Sequence, residues 1–143
     1  MTHLPKIEPM KLSLRSKPFD DPDWIFELKR DGFRSLAYVS DGACKLVSRR
    51  LNVYRRFRHL QAALAGLKVR SAILDGEIIC LDSHGRSVFN ALVHRRSAPV
   101  FYAFDLVWLD GQDLRKLPLF ERKRSLRALL RGARKANMLK SPS

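Results

Sequence analysis

Two apolar runs constrain the fold more than any other feature of this chain: Ala72–Leu81 (AILDGEIICL) and Val100–Leu109 (VFYAFDLVWL). Each is half the length of about 20 residues that a membrane-crossing helix needs. Both are rich in β-branched or aromatic residues, so both read as buried strands. The acids inside them are the anomaly. Asp75 and Glu77 are two residues apart, so a strand projects them from one face, and an apolar setting makes that costly unless a cation or a metal ion pairs with them. An edge strand with one solvated face is the competing explanation. Strand alternation sends Phe104 and Asp105 to opposite faces. Phe104 then belongs either to the core or to the wall of a pocket for a planar ligand.

The remaining elements are shorter. Pro5, Pro9, Pro18 and Pro22 rule out a long helix in residues 1–23, which read as an irregular segment. Trp24–Arg30 and Phe33–Ser40 read as strands. Asp41-Gly42 turns the chain back into a strand over Cys44–Ser48, because glycine accepts the positive φ of a tight hairpin. Asn52 is placed to cap a helix over 53–67, with Phe57, Leu60, Ala63, Leu64 and Leu67 as its apolar stripe. Phe89–His94 reads as a short helix. Pro118 opens another that runs to about Arg131, with Leu119, Leu126, Leu129 and Leu130 facing inward and Gly132 stopping it. A tail follows over 133–143. The order is β-rich with two to three helices, an α+β class.

Charge narrows the partner. The formal net charge is +14. Gly42–Leu74 holds eight bases and no acid, and Gln112 to Ser143 holds ten bases and two acids. Such blocks favour a polyanion, nucleic acid first and membrane phosphates a distant second, over a merely solubilising surface. No 18-residue apolar run and no apolar leader are present in the sequence, and the two cysteines read as reduced thiols, so a cytoplasmic protein is expected. The four histidines lack zinc spacing. No P-loop, G-x-G-x-x-G or Ser/His/Asp arrangement occurs.

The segment Glu27-Leu28-Lys29-Arg30-Asp31-Gly32-Phe33-Arg34 sets one lysine among acids and arginines. A lysine is a nucleophile only when neutral. Its ordinary pKa is about 10.4, cations and burial lower that value, and carboxylates raise it. The hairpin beginning just after Lys29 ends at Ser48-Arg49-Arg50, which returns Arg49 or Arg50 towards Lys29 unless this is simply a solvated basic turn.

In order, the chain shows Glu-x-Lys-x-Asp-Gly-x-Arg, then Ser-Arg, then Asp-Gly-Glu, then Phe-x-x-Phe-Asp-Leu. This succession resembles the adenylation domain of ATP-dependent DNA ligases, of the bacterial repair and end-joining type. The resemblance covers about residues 5–130 and is supported by Phe19–Trp24, Phe89–Leu92 and Pro118–Lys123. It implies an antiparallel, β-rich nucleotidyltransferase (ATP-grasp-like) fold over 24–132. Lys29 then matches the nucleophile that attacks the ATP α-phosphate and forms lysyl-AMP, from which AMP passes to a DNA 5′-phosphate before nick sealing. Glu27 matches a residue near the adenine, Arg34 a ribose or phosphate contact, and Arg49 a further nucleotide contact. Glu77 matches the acid that binds the ribose hydroxyl and helps hold Mg²⁺ or Mn²⁺, and Phe104 the aromatic that stacks on adenine. Nicked or broken double-stranded DNA is the implied partner, with other repair proteins or a separately encoded ligase half as further candidates.

Two departures stand out. Where the family has a glycine shortly after Ser-Arg, this chain has Leu51-Asn52, and asparagine can supply the left-handed conformation. The later Glu-Gly-hydrophobic and Lys-x-Lys motifs and the OB-fold do not occur in residues 1–143; Lys135 and Lys140 have the wrong spacing. The expectation is therefore the first two-thirds of an adenylation domain, truncated before its last motifs, with weak or absent self-adenylation by this chain alone. An RNA-ligase or capping-type nucleotidyltransferase, a non-catalytic basic DNA-binding relic and one half of a split ligase remain open alternatives.

Overall fold

The computed structural model describes residues 4–13, 17, 20–25, 27, 32–81, 84, 98–131, 133 and 139–140. These form strands β1 (Phe33–Ser40), β2 (Ala43–Ser48), β3 (Ser71–Ile79), β4 (Val100–Leu109), β5 (Gln112–Asp113) and β6 (Leu139–Lys140), with helices α1 (Arg58–Ala65) and α2 (Leu119–Arg131). The sheet order is β2-β1-β3-β4-β5, all antiparallel, with β6 added parallel to β4. No described helix is long and apolar enough to cross a membrane.

The two apolar runs become the adjacent strands β3 and β4 inside the sheet. This rejects the edge-strand explanation for Asp75 and Glu77: β3 is paired on both sides, so its carboxylates need partners. On one face Ala37, Val39, Leu74, Ile78, Phe101 and Leu106 pack with Leu60 and Leu64 of α1 and Leu126 and Leu130 of α2. The other face is partly covered by the chain's first residues. There buried Ile7 packs on Leu36, Ile73 and Val107, and its backbone N–H donates to the Tyr38 hydroxyl at 3.0 Å.

Asp41 and Gly42 both have positive φ, 53° and 74°, as a twist-matched hairpin turn requires. Gly32 has a different reason to be glycine: a Cβ there would run into the Ile78 carbonyl. The K-x-D-G glycine thus lets the start of β1 lie directly against β3.

Four sequence expectations need correction. Trp24, Ile25 and Glu27 are not in a strand; Trp24 closes a turn on the Asp21 carbonyl at 3.1 Å. The helix expected over 53–67 is only Arg58–Ala65 and has no side-chain cap, since Phe57 at its N-terminus is left-handed with φ 72°. Residues 53–57 are instead held against β2, through a Val47–Val53 bridge and the Tyr54 N–H on the Leu46 carbonyl. Leu51, not Asn52, takes the left-handed conformation, with φ 65°. Leu119 is 37% exposed, and its expected inward place falls to Arg122 and Lys123. The short helix over 89–94, the helix stop at Gly132, most of the 24–30 strand and most of the tail lie outside the described residues, although Leu139–Lys140 of the tail form β6.

Candidate functional site

One open cavity of about 620 Å³ is lined by Leu12, Glu27, Gly32, Arg34, Ser48, Arg49, Arg50, Tyr54, Glu77, Tyr102 and Phe104. Five of the six residues singled out in the sequence therefore meet at one place. The sixth, Lys29, lies outside the described residues. The convergence follows from register: Arg34 pairs across the ladder with Glu77, and Glu77 with Tyr102. Strand alternation sends all three to one face. The β1–β2 hairpin then returns Ser48 opposite Ser35, which brings Arg49 and Arg50 to the rim.

Phe104 reaches the cavity by a different route. Asp75 is paired with Asp105 and Gly76 with Ala103, so Phe104 is an extra residue that the β3–β4 ladder skips. Such a bulge re-aims a side chain and interrupts simple alternation. Gly76 sits opposite it, where a Cβ would come within 2.5 Å of the Tyr102 carbonyl oxygen.

The acids are answered by cations from two directions. Arg34 donates from Nε and Nη2 to the two Asp75 carboxylate oxygens at 2.8 and 2.7 Å, with side chains only 10% and 6% exposed. Burial raises the Asp75 pKa above its ordinary value, although Arg34 pulls it down; the bond to Asp75 raises that of Arg34. Arg122 donates to Asp105 at 2.9 and 3.3 Å and to the Leu117 carbonyl at 2.7 Å. Lys123 pairs with Glu27 and donates to the Phe104 carbonyl.

The Arg34 guanidinium lies 5.1 Å from the centroid of the Phe104 ring, a cation–π distance. Arg34 is thus engaged both by Asp75 and by the aromatic wall. Tyr54 donates to the Arg34 carbonyl at 3.1 Å and stacks on Phe33, and burial lifts its phenol pKa.

No group of three or more His, Cys, Asp or Glu residues able to hold a metal occurs among the described residues. The cavity's carboxylates are Glu27, engaged by Lys123, and Glu77. That donor set suits Mg²⁺, which uses one or two protein carboxylates together with substrate phosphates and water.

Arg122 and Lys123 were not legible as partners of the site. The signal was present in retrospect: Arg122 lies four and eight residues before Leu126 and Leu130, on the inward stripe of α2, while an acid stood unpaired in the apolar β4 sequence.

A family model described as ATP dependent DNA ligase domain matches residues 8–142. The multifunctional non-homologous end joining protein LigD of Pseudomonas aeruginosa is 40% identical over 116 residues, covering 77% of this chain and 14% of that protein. The SPbeta prophage-derived DNA ligase-like protein LigB of Bacillus subtilis is 36% identical over 131 residues, 86% of this chain and 47% of that protein. Among solved structures, the ligase domain of M. tuberculosis LigD superposes with a TM-score of 0.67 at 32% identity, over 82% of this chain and 39% of the other. Mycobacterial DNA ligase D complexed with ATP and MES gives 0.65 at 33% identity, over 82% and 38%. The chain therefore spans less than half the length of each of these relatives.

Proposed function

The chain belongs to the ATP-dependent DNA ligase family, and from that premise we propose that its cavity binds ATP and presents the α-phosphate to Lys29. The observation that carries this reading is the convergence of Glu27, Arg34, Arg49, Glu77 and Phe104 on one cavity, together with the likeness to a relative whose structure was solved with ATP. Phe104 offers its ring face to the adenine. Arg49, with Arg50 beside it, lies at the rim where phosphates would be met, and basic groups there stabilise the charge that develops as pyrophosphate leaves. Arg34, held by Asp75, acts through the aromatic wall and the local field at least as much as by direct contact. Glu77 binds a ribose hydroxyl and would hold Mg²⁺, or Mn²⁺, arriving with the triphosphate; the ion neutralises phosphate charge.

Lys29 must lose its proton to attack. Nearby arginines favour that loss, while Asp31 and Glu27 oppose it. The phosphoramidate would then deliver AMP to the 5′-phosphate of nicked or broken DNA, whose backbone suits the basic blocks at 45–70 and 112–140. A repair role in the cytoplasm, on nucleoid DNA, follows from the same reading.

Incubation with α-labelled ATP and Mg²⁺ tests the assignment. Saturable ATP binding that GTP does not displace is expected, with slow, substoichiometric label confined to Lys29 and absent from Lys29→Ala. GTP competing equally would favour a capping-type enzyme, and label on another residue would overturn the role of Lys29.

A further inference from the structure

We infer that Lys123 is a positioning residue that ties helix α2 to both the aromatic wall and the nucleophile-bearing segment; this rests on the nucleotide reading of the cavity. Three observations converge on its ammonium group. It pairs with Glu27, two residues before Lys29. It donates to the backbone carbonyl of Phe104, the residue that the β3–β4 ladder skips. It also lies 6.0 Å from the centroid of the Phe104 ring.

The platform that holds it is firm. Lys123 is itself 9% exposed. The preceding Arg122 is fixed to Asp105 and to the Leu117 carbonyl, and Leu126 and Leu130 anchor the next turns in the core. A bulged residue has no ladder bond to define its height, so Phe104 depends on contacts from outside the sheet. Lys123 supplies one of these. Through the same group it fixes Glu27, so the base wall and Glu27 share one tether. An ammonium with several donors on a long flexible stem is suited to hold a carbonyl and a carboxylate together.

The test is equilibrium titration of the full chain with ATP, at a temperature well below the melting point of each variant. Lys123→Met keeps the apolar stem and removes the charge; it should weaken ATP binding at least tenfold. Lys123→Arg should restore most of the affinity. Glu27→Gln should also weaken binding, and combining it with Lys123→Met should cost no more than the larger single loss. Glu27→Gln, at an exposed position, and the Arg rescue still test the tether should Lys123→Met fail to fold. Unchanged ATP affinity in Lys123→Met and Glu27→Gln, with wild type binding normally, would overturn the tether alone. Fully multiplicative losses would overturn it too. No ATP binding by the wild type would overturn the nucleotide reading and the tether with it.

Discussion

Replacing Arg34 by Met strips Asp75 of its partner, and the cost follows from the geometry. Both side chains are almost fully enclosed and joined by two charge-assisted bonds of 2.8 and 2.7 Å, so solvent does little to screen the loss. Breaking a buried pair by removing one member typically costs about 3–5 kcal/mol, because the other charge is left uncompensated. Domains of this size are stable by about 5–15 kcal/mol, so the variant should fold but lose a large share of its stability at pH 7. The pH dependence has a defined sign. The folded pKa of Asp75 already lies above its ordinary 3.8, chiefly through burial, so folding takes up a proton between those values. Stability carried by this group is present below the ordinary value and lost as pH rises through the folded one. Without Arg34 the folded pKa climbs further, so the deficit relative to wild type must widen with pH. Urea unfolding followed by far-ultraviolet circular dichroism should show about 3–5 kcal/mol at pH 7. At pH 5 the deficit should be smaller, because the unpaired Asp75 takes up a proton more readily than the paired one. The double variant Arg34→Met/Asp75→Asn should regain most of the pH 7 loss. A deficit below about 1 kcal/mol, as for a surface pair, that is also the same at both pH values would refute the reasoning.

Burial pushes the Cys44 thiol up to about 12. At pH 8 its thiolate fraction is then far below that of a free peptide thiol, and iodoacetamide labelling read by peptide mapping should be clearly slower than that of a free thiol until urea unfolds the chain. Labelling at the free-thiol rate would show that Cys44 is solvated. Leu51 holds φ 65° in a turn built by its N–H on the Ser48 carbonyl at 2.9 Å and by the Asn52 N–H on the Ser48 hydroxyl at 3.1 Å. A left-handed L-residue costs about 1–2 kcal/mol, while glycine adds about 0.5–1 kcal/mol of unfolded-state entropy. Leu51→Gly should therefore raise the melting temperature by about 2–4 °C, and a fall would mean that the 41% exposed leucine side chain contributes more by packing than its backbone loses.

What was legible in the sequence was local chemistry repeated along the chain. The two apolar runs, alternation along Phe33–Ser40 and the Asp41-Gly42 turn located β1 to β4 closely, and Val100–Leu109 matched to the residue. The co-facial placement of Asp75 and Glu77 already demanded a partner, and Arg34 is the one Asp75 found. What stayed hidden depended on tertiary context. Asn52 looks like a helix cap, but the chain around it is bonded to β2, which delays α1 to Arg58. Leu119 looks like an inward residue, but the buried Asp105 requires a cation, so the helix turns Arg122 inward instead. The bulge at Phe104 arises from the pairing of two strands and has no mark in either one alone. Trp24 and Ile25 have strand-forming side chains but lie outside the strands of the sheet, and they stand 57% and 47% exposed.

The most direct test of the nucleotide reading is a titration of isotopically labelled protein with ATP and Mg²⁺, followed by backbone amide resonances. If the cavity is the binding site, saturable shifts must concentrate at Arg34, Ser48 to Arg50, Glu77 and Tyr102 to Phe104, and Phe104→Ala must abolish or greatly weaken them. Shifts confined to Arg55–Arg58 and the outer face of α2, unchanged by Phe104→Ala, would contradict it.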